Sequence, residues 1–283
     1  MEINENCVKE THDEQFSVQR NKTYRYNMPL PHFHDAYEIS LALTDGTLYY
    51  VEEKIYAVKN ASVAVFNENE IHRTGAPDNI LYDRFSLLFK PRFICELLLY
   101  YPELTDLFAN RPADFENCVL LNDTQKAEAT VLFAKILEYY ENRNINSREL
   151  KIKLTLCEIL LYINDIYRLN KINPPVKNYA HNNQLRGIPE YIRNNLTEDL
   201  SLNTLSLKFF ISTQQLIKIF KNTIGMTPNQ YITDCRIIKS REYLKQGFSV
   251  GKVCELVGYT DISGFIRTFR KRMGCTPKKY RRE

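Results

Sequence analysis

The spacing of apolar residues changes once along the chain, near residue 90. Between about 20 and 90, short runs rich in β-branched and aromatic residues follow one another: 39–43, 47–51, 54–58, SVAVFN and LYDRFSLLF. Asp45-Gly46 and Glu52-Glu53 break the first three, and Asp-Gly between apolar runs predicts a hairpin. Short strands with closely spaced turns predict a small β-barrel or jelly roll. Over 91–108, 124–140 and 148–169 the apolar positions recur at steps of three and four, which predicts three amphipathic helices. In the last of them Leu150, Leu154, Cys157, Leu161 and Ile163 mark the apolar face. Such helices cover the barrel, pair with a second subunit, or do both.

The stretch LNKINPPVKNYAHNNQ, 169–184, interrupts this rhythm. Pro174-Pro175 cannot continue a helix and the Asn-rich remainder has little to bury, so 170–184 is a predicted linker. From Leu185 onward the pattern is helical and contains a repeat. KIFKNTIGMTPNQY (218–231) and RTFRKRMGCTPKKY (267–280) share basic-x-Phe-basic followed by Gly-x-Thr-Pro-x-x-Tyr. Upstream of each copy lie a short amphipathic helix (203–209, 251–257), a tight turn (210–212, 258–261) and a second helix (213–222, 262–272). Ser212 and Asp261 stand where N-caps belong, and Gly258 supplies the positive φ such a turn can require. In Gly-x-Thr-Pro the glycines, Gly225 and Gly274, close one helix and the prolines, Pro228 and Pro277, open the next. Phe220 and Phe269 follow Leu216 and Phe265 by four residues, on the predicted inner face.

Helix, short turn and a basic second helix make a helix-turn-helix, whose second member fits the major groove. Two units, at about 201–222 and 250–272 with a long helix over about 229–246 between them, would offer reading helices to successive grooves. Those grooves lie roughly 34 Å apart.

Composition agrees. A chain of 283 residues favours two domains, and 44% hydrophobic content suffices for packed cores. No apolar run is long enough to predict a membrane span, and the polar start lacks a signal-peptide core. The seven cysteines, odd in number and never in Cys-x-x-Cys, read as reduced thiols of a cytoplasmic protein. The net charge of +4 hides an asymmetry: 185–283 carries 18 Lys+Arg against 8 Asp+Glu, and 1–184 carries 20 against 26. A basic final third fits a polyanion such as nucleic acid, although charge alone leaves a solvated basic surface open.

With these motifs, residues 185–283 resemble the DNA-binding domain of the AraC/XylS family of bacterial transcription regulators, most fully in GYTDISGFIRTFRKRMGCTPKKYR. PHFHDAYEI and FNENEIHR make the front of the chain similar to the cupin-like sensor of many members. The resemblance implies an α+β protein of two domains. A cupin-like β-barrel with flanking helices would occupy 1–169 (barrel 20–90, helices 91–169), sensing an effector and dimerising. An all-α tandem helix-turn-helix domain would occupy 185–283. The implied function is sequence-specific regulation of transcription initiation, without catalysis, in the cytoplasm. The implied partners are double-stranded DNA, a second copy and a small-molecule effector, with RNA polymerase left open.

The same resemblance implies base contacts from Gln214, Ile217 and Lys218 in the first unit and Ile262, Ser263, Ile266 and Arg267 in the second. Arg267 suits guanine O6 and N7, and Gln214 suits adenine. Ile217 and Ile266 stand where the family often has polar residues, so thymine-methyl contact and partial packing both remain open. The other basic residues, among them Lys208, Lys221, Arg270, Lys271 and Arg272, suit phosphates or solvent.

In the front domain His32, His34 and Glu38 form His-x-His-x-x-x-Glu, with His72 further on. Cupin enzymes hold a metal with such a set, and imidazoles with a carboxylate suit iron, manganese or zinc. The reading adopted assigns no cofactor and takes Arg25, His34, Tyr37, Glu38, Tyr49 and His72 as effector-binding candidates; His32, His34, Glu38 and His72 are the ligands if a metal binds. Two alternatives stay open. A cupin-type metalloenzyme with a DNA-binding appendage would show bound metal and turnover. A non-specific architectural DNA binder would show steep salt dependence without sequence preference.

Overall fold

The computed structural model describes residues 15–24, 26, 28, 30–59, 61–76, 80–112, 115–172, 179–181, 185 and 187–282. They fall into two units interleaved in sequence. One joins Gln15–Pro189 to Ile211–Thr227, and the other joins Glu190–Phe210 to Pro228–Glu283. The effector candidate Arg25 and most of the predicted linker lie outside the described residues.

The first unit holds nine strands: β1 (Phe16–Tyr24), β2 (Tyr37–Ala42), β3 (Leu48–Val51), β4 (Lys54–Ala57), β5 (Ala61–Phe66), β6 (His72–Gly75), β7 (Leu81–Phe89), β8 (Cys118–Leu121) and β9 (Tyr179–His181). They form a five-stranded sheet, β1-β7-β2-β5-β8, and a four-stranded sheet, β6-β3-β4-β9. Strand alternation sorts the large sheet's side chains between its faces. Ala42, Ala64, Phe66 and Tyr82 point inward, onto Tyr49, Val51 and Tyr56 of the small sheet. Ile39, Leu41, Val63, Val65, Phe85 and Leu87 point outward, into a core shared with helices. Asp45-Gly46 therefore passes the chain from one sheet to the other, and the hairpin is β3–β4, across Glu52-Glu53.

Those helices are α1 (Cys95–Leu98), α2 (Asp106–Ala109), α3 (Asp123–Glu141) and α4 (Arg148–Ile172). The single helix expected over 91–108 is broken into short turns, because Pro102 cannot donate to a helical ladder. Asn122 and Gln125 start α3 with a reciprocal capping box. In α4 the buried face is Ile152, Leu156, Ile159, Leu160, Ile163 and Ile166. Of the face expected from the sequence, Ile163 is buried, whereas Leu150, Leu154 and Leu161 are 57%, 57% and 55% exposed. The helix thus carries two apolar stripes, and the barrel takes only one. Strand β9 forms within the predicted linker and pairs with β4.

The remaining helices are α5 (Ile188–Asn194), α6 (Leu202–Phe209), α7 (Thr213–Thr223), α8 (Pro228–Lys245), α9 (Val250–Leu256), α10 (Ile262–Met273) and α11 (Pro277–Tyr280). The starts of α7 and α10 are capped as the sequence predicts: Ser212 accepts from Gln215 N at 3.1 Å, and Asp261 accepts from Ser263 N and Gly264 N at 2.9 and 2.8 Å. Pro228 and Pro277 open α8 and α11, and Gly274 closes α10 with φ +73°. In the second unit an aromatic ladder, Tyr259–Phe265–Phe269–Tyr280, runs at centroid spacings of 5.3, 5.9 and 5.6 Å. Arg241, 1% exposed, donates from Nε to Tyr280 Oη at 3.2 Å and so ties α8 to α11.

Candidate nucleic-acid interface and a histidine site in the barrel

Helical periodicity divides α10 into two faces. Phe265 and Phe269 are fully buried, while Ile262, Ser263 and Arg267 are exposed and Ile266 is half-buried. Helix α7 repeats the division: Leu216 and Phe220 are fully buried, Gln214 and Lys218 are exposed, and Ile217 is half-buried. The seven sequence-predicted base-reading positions thus fall on the outer or flanking positions of these two helices. Arg270 and Lys271 extend the basic outer face of α10.

Arg272 has a different role. Its Nε lies 2.8 Å from Oδ1 of Asp234, a carboxylate 1% exposed on α8. Sequence reasoning grouped Arg272 with the phosphate contacts, since nothing local ties it to a residue 38 positions earlier. Burial pushes the Asp234 carboxyl up to about 6, against the opposing pull of Arg272. A folded-state pKa above the unfolded value stabilises at low pH, and that contribution is lost as pH rises through about 6. Wild type should therefore lose stability relative to Asp234→Asn between about pH 4.5 and about pH 7.5, by at most ~3 kcal/mol. Urea unfolding of both full-length proteins at the two pH values checks it; a gap independent of pH would contradict it.

In the barrel, His32 and His72 sit opposite each other in an antiparallel bridge with reciprocal backbone hydrogen bonds of 3.0 and 2.9 Å. This bridge closes the distance that separates the two motifs in sequence. His34 and Glu38 come from the segment entering β2 and from β2 itself. Glu38 Oε2 lies 2.8 Å from His34 Nε2 and 3.1 Å from His72 Nε2, and His32 Nε2 lies 3.0 Å from His34 Nε2. Phe66 stacks on the His72 ring at 4.1 Å, nearly parallel. Burial pushes the Glu38 carboxyl up, but the hydrogen bonds from His34 and His72 outweigh it and hold the pKa well below the usual range. Burial, reinforced by His72 and His34, holds the His32 pKa well below 6.5.

The other two described effector candidates lie elsewhere. Tyr37 precedes Glu38 on the strand and so faces the opposite side, where its ring stacks on Phe108 at 4.5 Å. Tyr49 is 1% exposed inside the barrel, its hydroxyl 2.9 Å from Ser40 Oγ and 3.0 Å from Tyr82 Oη. Sequence reasoning missed a neighbouring junction. A Cβ on Gly225, just past α7, would lie 2.8 Å from Arg73 Nε and 3.2 Å from Pro31 Cγ. Arg73 follows His72 and Pro31 precedes His32, so the bridge between the two histidines abuts the end of α7 through its immediate neighbours. The Arg73 guanidinium lies 3.7 Å from the Tyr50 ring centroid, which fixes it in place.

Residues 205–283 match a protein family described as "Helix-turn-helix domain". Over 258 residues the chain is 21% identical to the HTH-type transcriptional activator RhaR of Mannheimia succiniciproducens, spanning 90% of this chain and 88% of that protein. It is 22% identical, again over 258 residues, to the HTH-type transcriptional activator RhaS of an Enterobacter species, spanning 88% and 86%. Residues 205–283 are a helix-turn-helix domain of the AraC type. A shorter match, 34% identical over 95 residues, joins the chain to the bifunctional transcriptional activator/DNA repair enzyme AdaA of Bacillus subtilis, covering 33% of this chain and 45% of that protein. Among the described residues no helix is long and apolar enough to cross a membrane.

Proposed function

We propose that the protein binds specific DNA sites as a homodimer, acting in the cytoplasm, and that occupancy of the barrel sets its grip on DNA. The exposed polar faces of α7 and of α10, each taken by itself, carry this reading. Arg267 reads guanine, Gln214 reads adenine, Lys218 and Ser263 add polar contacts, and Ile217, Ile262 and Ile266 lie against base edges or thymine methyls. Phosphate contacts from Arg270 and Lys271 set the register. An effector in the barrel acts on α7 through Pro31 and Arg73, because it favours one arrangement of the histidine bridge over another.

The second apolar stripe of α4 supports dimerisation. Leu150, Leu154 and Leu161 repeat at steps of four and seven along one helix, and a two-fold axis would lay this stripe on its own copy. Changing both Leu154 and Leu161 to Glu should raise the dimer dissociation constant at least about tenfold and leave the fold intact, because both positions face away from the barrel core. Analytical ultracentrifugation tests the reading: a double variant that dimerises as well as wild type would rule this stripe out.

A further inference from the structure

We propose that Asp234 is a positioning residue that holds the Arg272 guanidinium away from DNA, so that loss of the Asp234 charge adds one phosphate contact to the complex. The inference rests on the DNA reading above.

Three basic residues, Arg270, Lys271 and Arg272, fill the last turn of α10. All three are exposed, and among the described residues only Arg272 is engaged by an acid. Its Nε lies 2.8 Å from Asp234 Oδ1, and its side chain is 32% exposed against 2% for the aspartate. The guanidinium thus sits at the edge of the α8–α10 junction, with the carboxylate buried inside.

The contact does little for the fold. Oδ1 is buried and accepts no hydrogen bond among the described residues, so the two groups meet at a single ion-pair contact. A buried carboxylate held in this way regains little of its desolvation cost. Burial accordingly pushes the Asp234 pKa up to about 6. An uncharged side chain would avoid that cost, so stability does not explain the charge. What the charge does is offset one of three adjacent cations that would otherwise face a phosphate backbone. Without it, Arg272 is a long, partly exposed cation beside Arg270 and Lys271, and its guanidinium turns outward to water or phosphate.

The neighbouring ionisable groups do not replace the pair. Arg236, two residues along α8, donates Nε and Nη2 to the Leu196 carbonyl at 3.1 and 2.9 Å. Tyr259, in the turn before α10, packs on Arg236 at 5.6 Å, and burial pushes its hydroxyl pKa up, so it stays neutral at physiological pH. Residues 185–283 contain no histidine, the residue that ordinarily titrates in this range. Contact through a freed Arg272 requires neutral Asp234, so DNA binding takes up a proton and tightens as pH falls through about 6.

The test measures binding of full-length wild type, Asp234→Asn, and Asp234→Asn combined with Arg272→Gln. Each is titrated with a selected site and with random duplex over a salt series, at about pH 7.5 and about pH 5.5. Asn keeps the shape of Asp, and circular dichroism confirms each fold. At the higher pH and ~0.1 M salt, Asp234→Asn should bind both DNAs about 5–10-fold tighter than wild type and steepen the slope of log K against log salt by about 0.9. The double variant should lose both gains. At the lower pH the gap between wild type and Asp234→Asn should shrink about threefold or more. The front-domain histidines are common to all three proteins and cancel in this comparison. If wild type binds DNA but Asp234→Asn binds no tighter, or the double variant keeps the gain, this inference fails alone. Weaker binding by Asp234→Asn would also overturn it, because the pair would then hold α10 in its reading position. Wild type that binds no DNA would overturn the DNA reading and the inference with it.

Discussion

Gly258→Ala should cost ~3–5 kcal/mol of stability and abolish DNA binding, while Gly274→Ala should cost only ~1 kcal/mol, although both glycines have left-handed backbones. Gly258 has φ +79°, and a Cβ there would lie 2.1 Å from the Leu196 carbonyl oxygen and 3.0 Å from Arg236 Nη2. Arg236 donates to that same carbonyl from Nε and Nη2 at 3.1 and 2.9 Å. The methyl group therefore adds the left-handed penalty of ~1–2 kcal/mol and also displaces a charge-assisted pair worth about 1.5–3 kcal/mol. Gly274 has φ +73° and nothing within 4 Å of its Cβ position, so only the backbone penalty applies. Urea unfolding of the two variants separates these terms. Equal losses would mean that the packing of Gly258 against Leu196 contributes nothing.

Arg267→Ala should weaken binding to a selected DNA site by 1–3 kcal/mol, which is ~5–150-fold, and relax base preference at one position. Arg267 is exposed two residues before the buried Phe269, on the opposite side of α10, so truncating it removes no core contact. Lys271→Ala, on the same helix, should weaken all sequences alike and lower the salt dependence by about one counterion. Competition binding at two salt concentrations distinguishes the roles. Uniform weakening by both variants would make Arg267 a phosphate contact.

How much of this was legible in the sequence depended on how local each signal is. Caps and turns act over three or four residues, so Ser212, Asp261, Gly274 and Pro277 could be placed from the chain alone. Leu216, Phe220, Phe265 and Phe269 followed from helical period. Strands β1, β6, β8 and β9 did not, since their pairing depends on partners distant in sequence. His-x-His-x-x-x-Glu was visible as a pattern, yet only the β-bridge brings His72 to it. Tyr37 and Glu38 are both effector candidates from the sequence, but strand alternation sends adjacent residues to opposite faces. The periodicity of α4 was read correctly as helical, but period alone cannot tell a stripe that meets the barrel from one that meets solvent. Asp234 and Arg272 carry no signal that would pair them.

The central claim is that two helices of one chain read DNA sequence. Selection from random DNA with full-length wild type, repeated with Arg267→Ala, tests it most directly. The account predicts an enriched motif with two elements about one helical turn apart, and loss of base preference within one element for the variant. Binding without any enriched motif, weakened steeply by salt and alike for both proteins, would contradict it.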